Sequence, residues 1–322
     1  MKQSCHFHPT KPAHWSCPQC SQAFCPHCII KRDRVGHRIG ETLHLCPKCN
    51  VEAEWVGAGN LLKPFRNRLP EFFLYPLSLR PLLLIIVLSF ISSLFSGPGL
   101  LNMLVRVLVW AILIKYSYEV LKTTASGNLT PPKINAETIS NDFQVVFKQI
   151  GLYVIMGIVY LWLTSKLGIF FGIILLVFMV LSIPAMIILL ATTDSILRAI
   201  NPAVFTRLAF RIGWDYLLMY FFLILLLFAP AALGQYILKY LPSVSHIFLF
   251  SFAKSFYTLI SYHLMGYVVL QYHAEIGYKV DYEDFKDPNA EQEEEDAVTE
   301  IMARVNPLIT EGKLDEAINL IQ

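Results

Sequence analysis

The sequence predicts an all-α polytopic membrane protein of about six transmembrane helices, with a small metal-binding domain at its N-terminus. Three observations carry this fold class. Hydrophobic residues fill 55% of the 322 positions and charged ones only 16%, with a mean hydropathy of +0.51, where a soluble domain carries about 25% charge. Apolar residues run almost unbroken from Pro81 to Tyr272. All seven cysteines lie within the first 49 residues. The net charge of +2 excludes nothing alone, so electrostatic information must lie in its distribution.

The cysteines come in doublets: Cys5-x-x-His8, Cys17-x-x-Cys20, Cys25-x-x-Cys28 and Cys46-x-x-Cys49. Two intervening residues let both side chains of a doublet converge on one tetrahedral ion, and thiolates with imidazole suit zinc. Eight donors suffice for two closed, structural zinc ions, which would fold a segment too short to build much of a core. A redox motif does not come as four doublets, and seven cysteines leave a disulfide framework with one over. The opening MKQSCHFHPTKPAHW lacks the apolar core of a signal peptide, so the module is expected on the side of synthesis, where thiols stay reduced.

The segment CHFHP…WSCPQCSQAFCPHCIIKRDRVGHRI…HLCPKC resembles a B-box-type zinc finger, in the short form attached to bacterial membrane proteins. The resemblance covers roughly residues 4 to 50. It implies a cross-braced arrangement in which alternate doublets share a metal: Cys5, His8, Cys25 and Cys28 for one zinc, Cys17, Cys20, Cys46 and Cys49 for the other. Many B-boxes end on histidines, and His37 or His44 could take that place, which would free one terminal cysteine. CPKC repeats the Cys-Pro-x-Cys knuckle of CPQC and favours the terminal pair. His6, His14 and His27 are expected to be surface residues. The domain is drawn as 1–52.

Residues 53–80 read as a basic, aromatic linker on the membrane interface, with Lys63, Arg66, Arg68 and Arg80 facing anionic headgroups. Nucleic acid is not expected as a partner, because this charge abuts the first apolar segment. The transmembrane domain is drawn as 81–278. A span needs about 20 apolar residues, and SGPG at 96–99 breaks the first run into a hairpin. Helices are expected near 80–96, 100–121, 148–166, 167–193, 216–238 and from Lys254 to before Glu275. A single span over Pro81–Val105 would make five.

Orientation follows Lys and Arg in the short loops. With the N-terminus inside, inner segments carry Lys63, Arg66, Arg68 and Arg80, then Lys122, Lys133 and Lys148, then Arg198, Arg207 and Arg211. Outer connections hold none at Gly97–Gly99, Lys166 in the second, and Lys239 with Lys254 around the third. Both termini are thus expected in the cytoplasm of a cell whose inner membrane holds the chain. The loop TTDSILRAINPAVFTRLAFRIGWDY alternates apolar and cationic positions at helical spacing, which predicts an interfacial helix. The run from Tyr116 to Tyr278 is similar to an uncharacterised bacterial membrane domain with TASG, AINP and RIGWDY elements, a resemblance that implies no activity.

An enzyme is not expected. Ser96 and His263 are the only candidates for intramembrane serine chemistry, and they read as a turn serine and a packed histidine. No H-E-x-x-H, P-loop or nucleotide fingerprint occurs. Arg106, Lys115, Glu119 and Asp194 are expected near helix ends, Lys115 and Glu119 pairing at four-residue spacing. Residues 279–297 form an acidic linker containing AEQEEED, and 298–322 an amphipathic helical segment. In it EGKLDEAINLI resembles half of a tetratricopeptide repeat on Gly312, Leu314 and Ala317, a lone tail helix being the alternative. The function expected is a non-enzymatic scaffold, assembly or adaptor protein in the bilayer, recruiting cytoplasmic protein partners. The alternative is a transporter or lipid-handling domain with a regulatory finger.

Overall fold

The computed structural model describes residues 4–9, 13–25, 27–33, 42–55, 62–133, 143–236, 243–278 and 280. They fall into two compact units, one drawn from 1–62 with 282–322, the other from 63–281. The acidic linker, the tetratricopeptide-like segment and His37 lie outside the described residues.

The N-terminal unit has a three-stranded antiparallel sheet, β1 (Trp15–Ser16), β2 (Ala23–Phe24) and β5 (Glu54–Trp55), in the order β2-β1-β5. A second pair, β3 (Ile30–Asp33) and β4 (Thr42–Leu45), sets Ile30 opposite Leu45. The core is tiny: Trp15, Phe24, Ile29 and Ala53 pack with Cys17 and Cys46. So small a cluster does little to offset the chain entropy of so long a segment.

The second unit is helical. Its long elements are α2 (Leu79–Leu94), α3 (Leu100–Ala125), α4 (Gln144–Leu167), α5 (Ile169–Thr193), α8 (Trp214–Tyr236) and α9 (Ser243–Gln271). Among the described residues, α3, α4, α5 and α8 are long and apolar enough to cross a membrane by length and composition. A fifth candidate arises if α2 is taken as one span with the short α1 (Leu69–Leu74) and the 3₁₀ turn Tyr75–Leu77, which are bent against it by 66°. Alone, α2 has 16 residues, about 24 Å against a hydrocarbon core of about 30 Å.

The sixth predicted span differs most. Helix α9 runs for 29 residues and begins at Ser243, so the boundary expected at Lys254 falls inside it. It lies at the centre of the unit, against α2, α3 and α8, and its inward face carries Tyr262, His263 and Tyr267, all buried. A helix packed against three others needs less lipid-facing surface, and the polar groups of its inward face find partners inside the unit.

The linker expected on the headgroups packs instead on the C-terminal half of α9. Phe65 and Phe72 are buried. The Phe65 amide donates to Gln271 Oε1 at 2.9 Å, and the Tyr267 hydroxyl to the Lys63 carbonyl at 2.8 Å. Arg68 pairs with Glu71 and lies 5.2 Å from the Tyr267 ring centre. Lys63, Arg66 and Arg80 remain exposed.

Exposure divides the helices lengthwise. Leu100, Leu101, Leu104 and Leu108 of α3 are exposed while Tyr116, Tyr118, Val120 and Leu121 are buried. In α5, Phe170, Ile173 and Val177 are exposed and Ala185, Ile188 and Leu190 are buried. Outward apolar stretches of this kind are what a lipid solvent favours and water does not. Pro184 lies inside α5 and has no amide to donate to the Val180 carbonyl. The Tyr216 hydroxyl sits at the next position of the ladder, donating to the Leu181 carbonyl at 2.7 Å and accepting from the Ala185 amide at 3.3 Å, beside the helical bond that Pro184 cannot make. The predicted interfacial segment forms α6 (Ile196–Ile200) and α7 (Pro202–Ile212). Phe205, Leu208 and Ile212 of α7 face inward and Arg207 and Arg211 outward, with Asn201 capping the Ala203 amide at 3.0 Å.

Candidate metal centres

Two knuckles of identical backbone design position one donor group. In the first, the Cys17 amide donates to the Gln22 carbonyl at 2.8 Å and the Ser21 amide to the Cys17 carbonyl at 2.9 Å. In the second, Cys46 donates to Val51 and Asn50 to Cys46, both at 2.9 Å. Ser21 and Asn50 take left-handed backbone, φ 55 and 53, a conformation that short polar residues tolerate. Each knuckle thereby closes on itself and turns both sulfurs to one side.

Cys17, Cys20, Cys46 and Cys49 lie in one group, and Cys5, His8, Cys25 and Cys28 in another, with donor atoms of each within 4.8 Å of one another. The finer distances discriminate between chemistries. Cys5 and Cys28 sulfurs are 3.8 Å apart, Cys25 and Cys28 3.6 Å, Cys20 and Cys46 3.8 Å. A tetrahedron with metal–sulfur bonds of about 2.3 Å has edges of about 3.8 Å, whereas a disulfide would need about 2.05 Å. His8 Nδ1 lies 3.2 Å from the Cys28 sulfur and 3.6 Å from that of Cys25, near the roughly 3.5 Å edge of a mixed nitrogen–sulfur site. The donors are consistent with two zinc sites.

Electrostatics point the same way. Burial raises the Cys5 thiol, but amides of Cys25, His8 and Phe7 outweigh it and bring it down to about 6. The Cys20 amide leads in lowering Cys17 to about 7. Burial, then the neighbouring sulfurs, push Cys28 and Cys49 up to about 12, and burial leads in raising Cys46. Each group thus holds one favoured thiolate, Cys5 or Cys17, beside thiols that resist ionising, Cys28 in one group and Cys46 and Cys49 in the other. A divalent cation removes that conflict.

Of the other histidines, His44 sits on β4 with its ring stacked 4.4 Å from that of Trp15, outside both groups. His14 corrects its assignment to the surface: it is buried beside Trp15, because its amide pairs with the Phe24 carbonyl at 2.9 Å and draws it into the sheet. His6 and His27 are exposed.

Within the helical unit, Ser96 lies in the turn between α2 and α3. His263 is stacked on Tyr75 at 3.8 Å and hydrogen-bonded to Thr124 Oγ1 at 2.8 Å. Asp194 caps α5 and pairs with Lys148 at 2.9 Å, an anchor at helix ends as expected. Lys115 departs from that pattern. It is the sixteenth residue of α3 and 5% exposed, with its ammonium 5.0 Å from the Phe143 ring centre. The sequence offered no signal for this, because the stretch to Ala125 continues the helix past the expected end.

No protein-family model matches the chain, and no curated protein or solved structure does. The resemblances to B-box and tetratricopeptide families rest on their quoted motifs alone.

Proposed function

We propose that this chain is a non-enzymatic membrane scaffold or adaptor, whose head is held by two structural zinc ions and recruits cytoplasmic protein partners. The observation that carries the proposal is the closure of both donor groups. Each supplies four ligand atoms, which leaves no coordination position for water or substrate. Zinc would then supply folding energy to a head whose own apolar core is small, and the cross-braced B-box-like assignment follows the same grouping. The helical body is the platform: α2, α3, α4, α5, α8 and α9 cross the bilayer six times, with both termini in the cytoplasm of a bacterial inner membrane. Supporting α9 as a span are its length, about 43 Å, and the internal partners of its polar side chains.

A transporter or lipid-handling domain is the second reading, favoured by Lys115 buried within α3 and by Lys254 inside α9. Deleting residues 1–60 distinguishes the two. The scaffold loses its crosslinked partner while the helices stay folded, and neutralising Arg106, Lys115, Glu119 and Asp194 leaves partner binding intact. The opposite pattern in a phenotype assay refutes the scaffold.

A further inference from the structure

Lys254 follows the start of α9 by eleven residues, about 16 Å along the axis, and precedes its end by about 25 Å. Its side chain is exposed, and among the described residues its ammonium has no ion-pair or hydrogen-bond partner. A charge at that depth is costly in hydrocarbon and marks a site with a counter-charge to be named.

The same lysine lines a cleft of about 350 Å³ between α3, α4, α5, α8 and α9, within the size range of small-molecule sites. Its walls are apolar, with Trp110, Ile187, Leu223 and Leu227 prominent. Pro184 of α5 and Pro230 of α8 both line it. Tyr220 and Tyr257 also face it, beside Gln149, which is 3% exposed and whose Oε1 has no partner among the described residues. Among the described lining residues Lys254 is the one cation, and none is a carboxylate.

We propose that this cleft binds one anionic phospholipid from the bilayer, its phosphate on Lys254 and an acyl chain along Trp110, Ile187, Leu223 and Leu227. The inference rests on α9 being a membrane-crossing helix. An apolar wall in that setting selects a chain over a soluble anion. A lone cation with no opposing carboxylate selects a negative headgroup over a zwitterionic one.

The test uses full-length protein, delipidated in detergent and titrated with phosphatidylglycerol or phosphatidylcholine of equal chain length, with bound lipid counted by native mass spectrometry. One phosphatidylglycerol should saturate the protein at least tenfold more tightly than phosphatidylcholine. Lys254→Gln should erase that preference, Lys254→Arg should retain it, and Lys166→Gln, at the exposed end of α4, should not alter it. Equal affinity for the two lipids, or a preference surviving Lys254→Gln, overturns the proposal. Should Lys254→Gln not fold, Leu223→Trp fills the wall with the charge intact and must weaken phosphatidylglycerol tenfold, unchanged binding being the overturning result. A cysteine at 254 tests the helix separately. Labelling by an impermeant aqueous maleimide would refute the crossing helix, while a shielded cysteine without lipid preference refutes the lipid site alone.

Discussion

Gly266 brings α9 into close contact with α3, and Gly266→Ala measures what that approach contributes. A Cβ there would lie 2.6 Å from the Leu121 carbonyl oxygen and 2.9 Å from Thr124 Cβ. Neither backbone oxygen nor helix-bound Cβ can swing aside, so the helices must part by at least 0.4 Å, from 2.6 to the 3.0 Å that real contacts respect. Gaps of about 0.5–1 Å forfeit a quarter to a half of each dispersion contact along the seam, and overpacking typically costs about 1–3 kcal/mol. The Thr124–His263 hydrogen bond sits beside the same contact, and its loosening adds about 1 kcal/mol. Alanine returns about 1 kcal/mol through helix propensity. The net expectation is a loss of about 1–3 kcal/mol, read as unfolding of the detergent-solubilised protein. Gly157→Ala in α4 is the control, since nothing lies within 4 Å of its Cβ position; it should be neutral or stabilising by up to about 1 kcal/mol. A Gly266→Ala protein as stable as wild type would refute the tight seam.

Purified protein should carry two zinc ions per chain, and Cys17→Ser should lower the content, read by elemental analysis. Zinc uptake must displace the protons held on Cys28 and Cys49, so affinity should rise with pH and proton release should be measurable by calorimetry in buffers of different ionisation enthalpy; uptake without proton release would contradict the thiol assignment. Tyr216→Phe should destabilise by about 1–2 kcal/mol by removing the hydroxyl's bonds to the Leu181 carbonyl and Ala185 amide, and by less in a Pro184→Ala background, where the helical ladder is complete; equal losses in both backgrounds would disprove the link to Pro184. Single cysteines at Asn60, Gly168 and Asn289 should label from outside intact cells only at 168, and labelling at 289 without 60 would mean an odd number of spans.

Much of the architecture was written in composition. Runs of apolar residues located α3, α4, α5 and α8 because lipid-facing helices must be apolar along most of their length. The doublet spacing located the metal donors for an equally local reason, since C-x-x-C geometry needs only a turn. What bound one doublet to another was not local: Cys5 meets Cys28 across 23 residues, and no spacing rule ties the first doublet to the third. The family resemblance supplied that grouping. The linker 63–77 defeated the reading because its partners, Tyr267 and Gln271, are about 200 residues away. Lys254 misplaced the start of α9 because a charge reads as a boundary when the cleft that accommodates it is invisible in sequence.

The polarity of α9 bears on how the protein is made. On the proposed reading of α9 as a span, a segment carrying Lys254, His263, Tyr262 and Gln271 gains little by entering lipid alone, and among the described residues it is the last long helix in chain order. Its hydroxyl and imidazole groups find their partners on α3 and on the chain before α2, which by then are already in place. On the proposed six-span reading, α9 would enter the bilayer after these partners and dock its buried polar groups on them. A truncated chain ending before Ser243 would leave those partners uncovered, a standing target for membrane quality-control proteases and a surface on which insertion chaperones would linger.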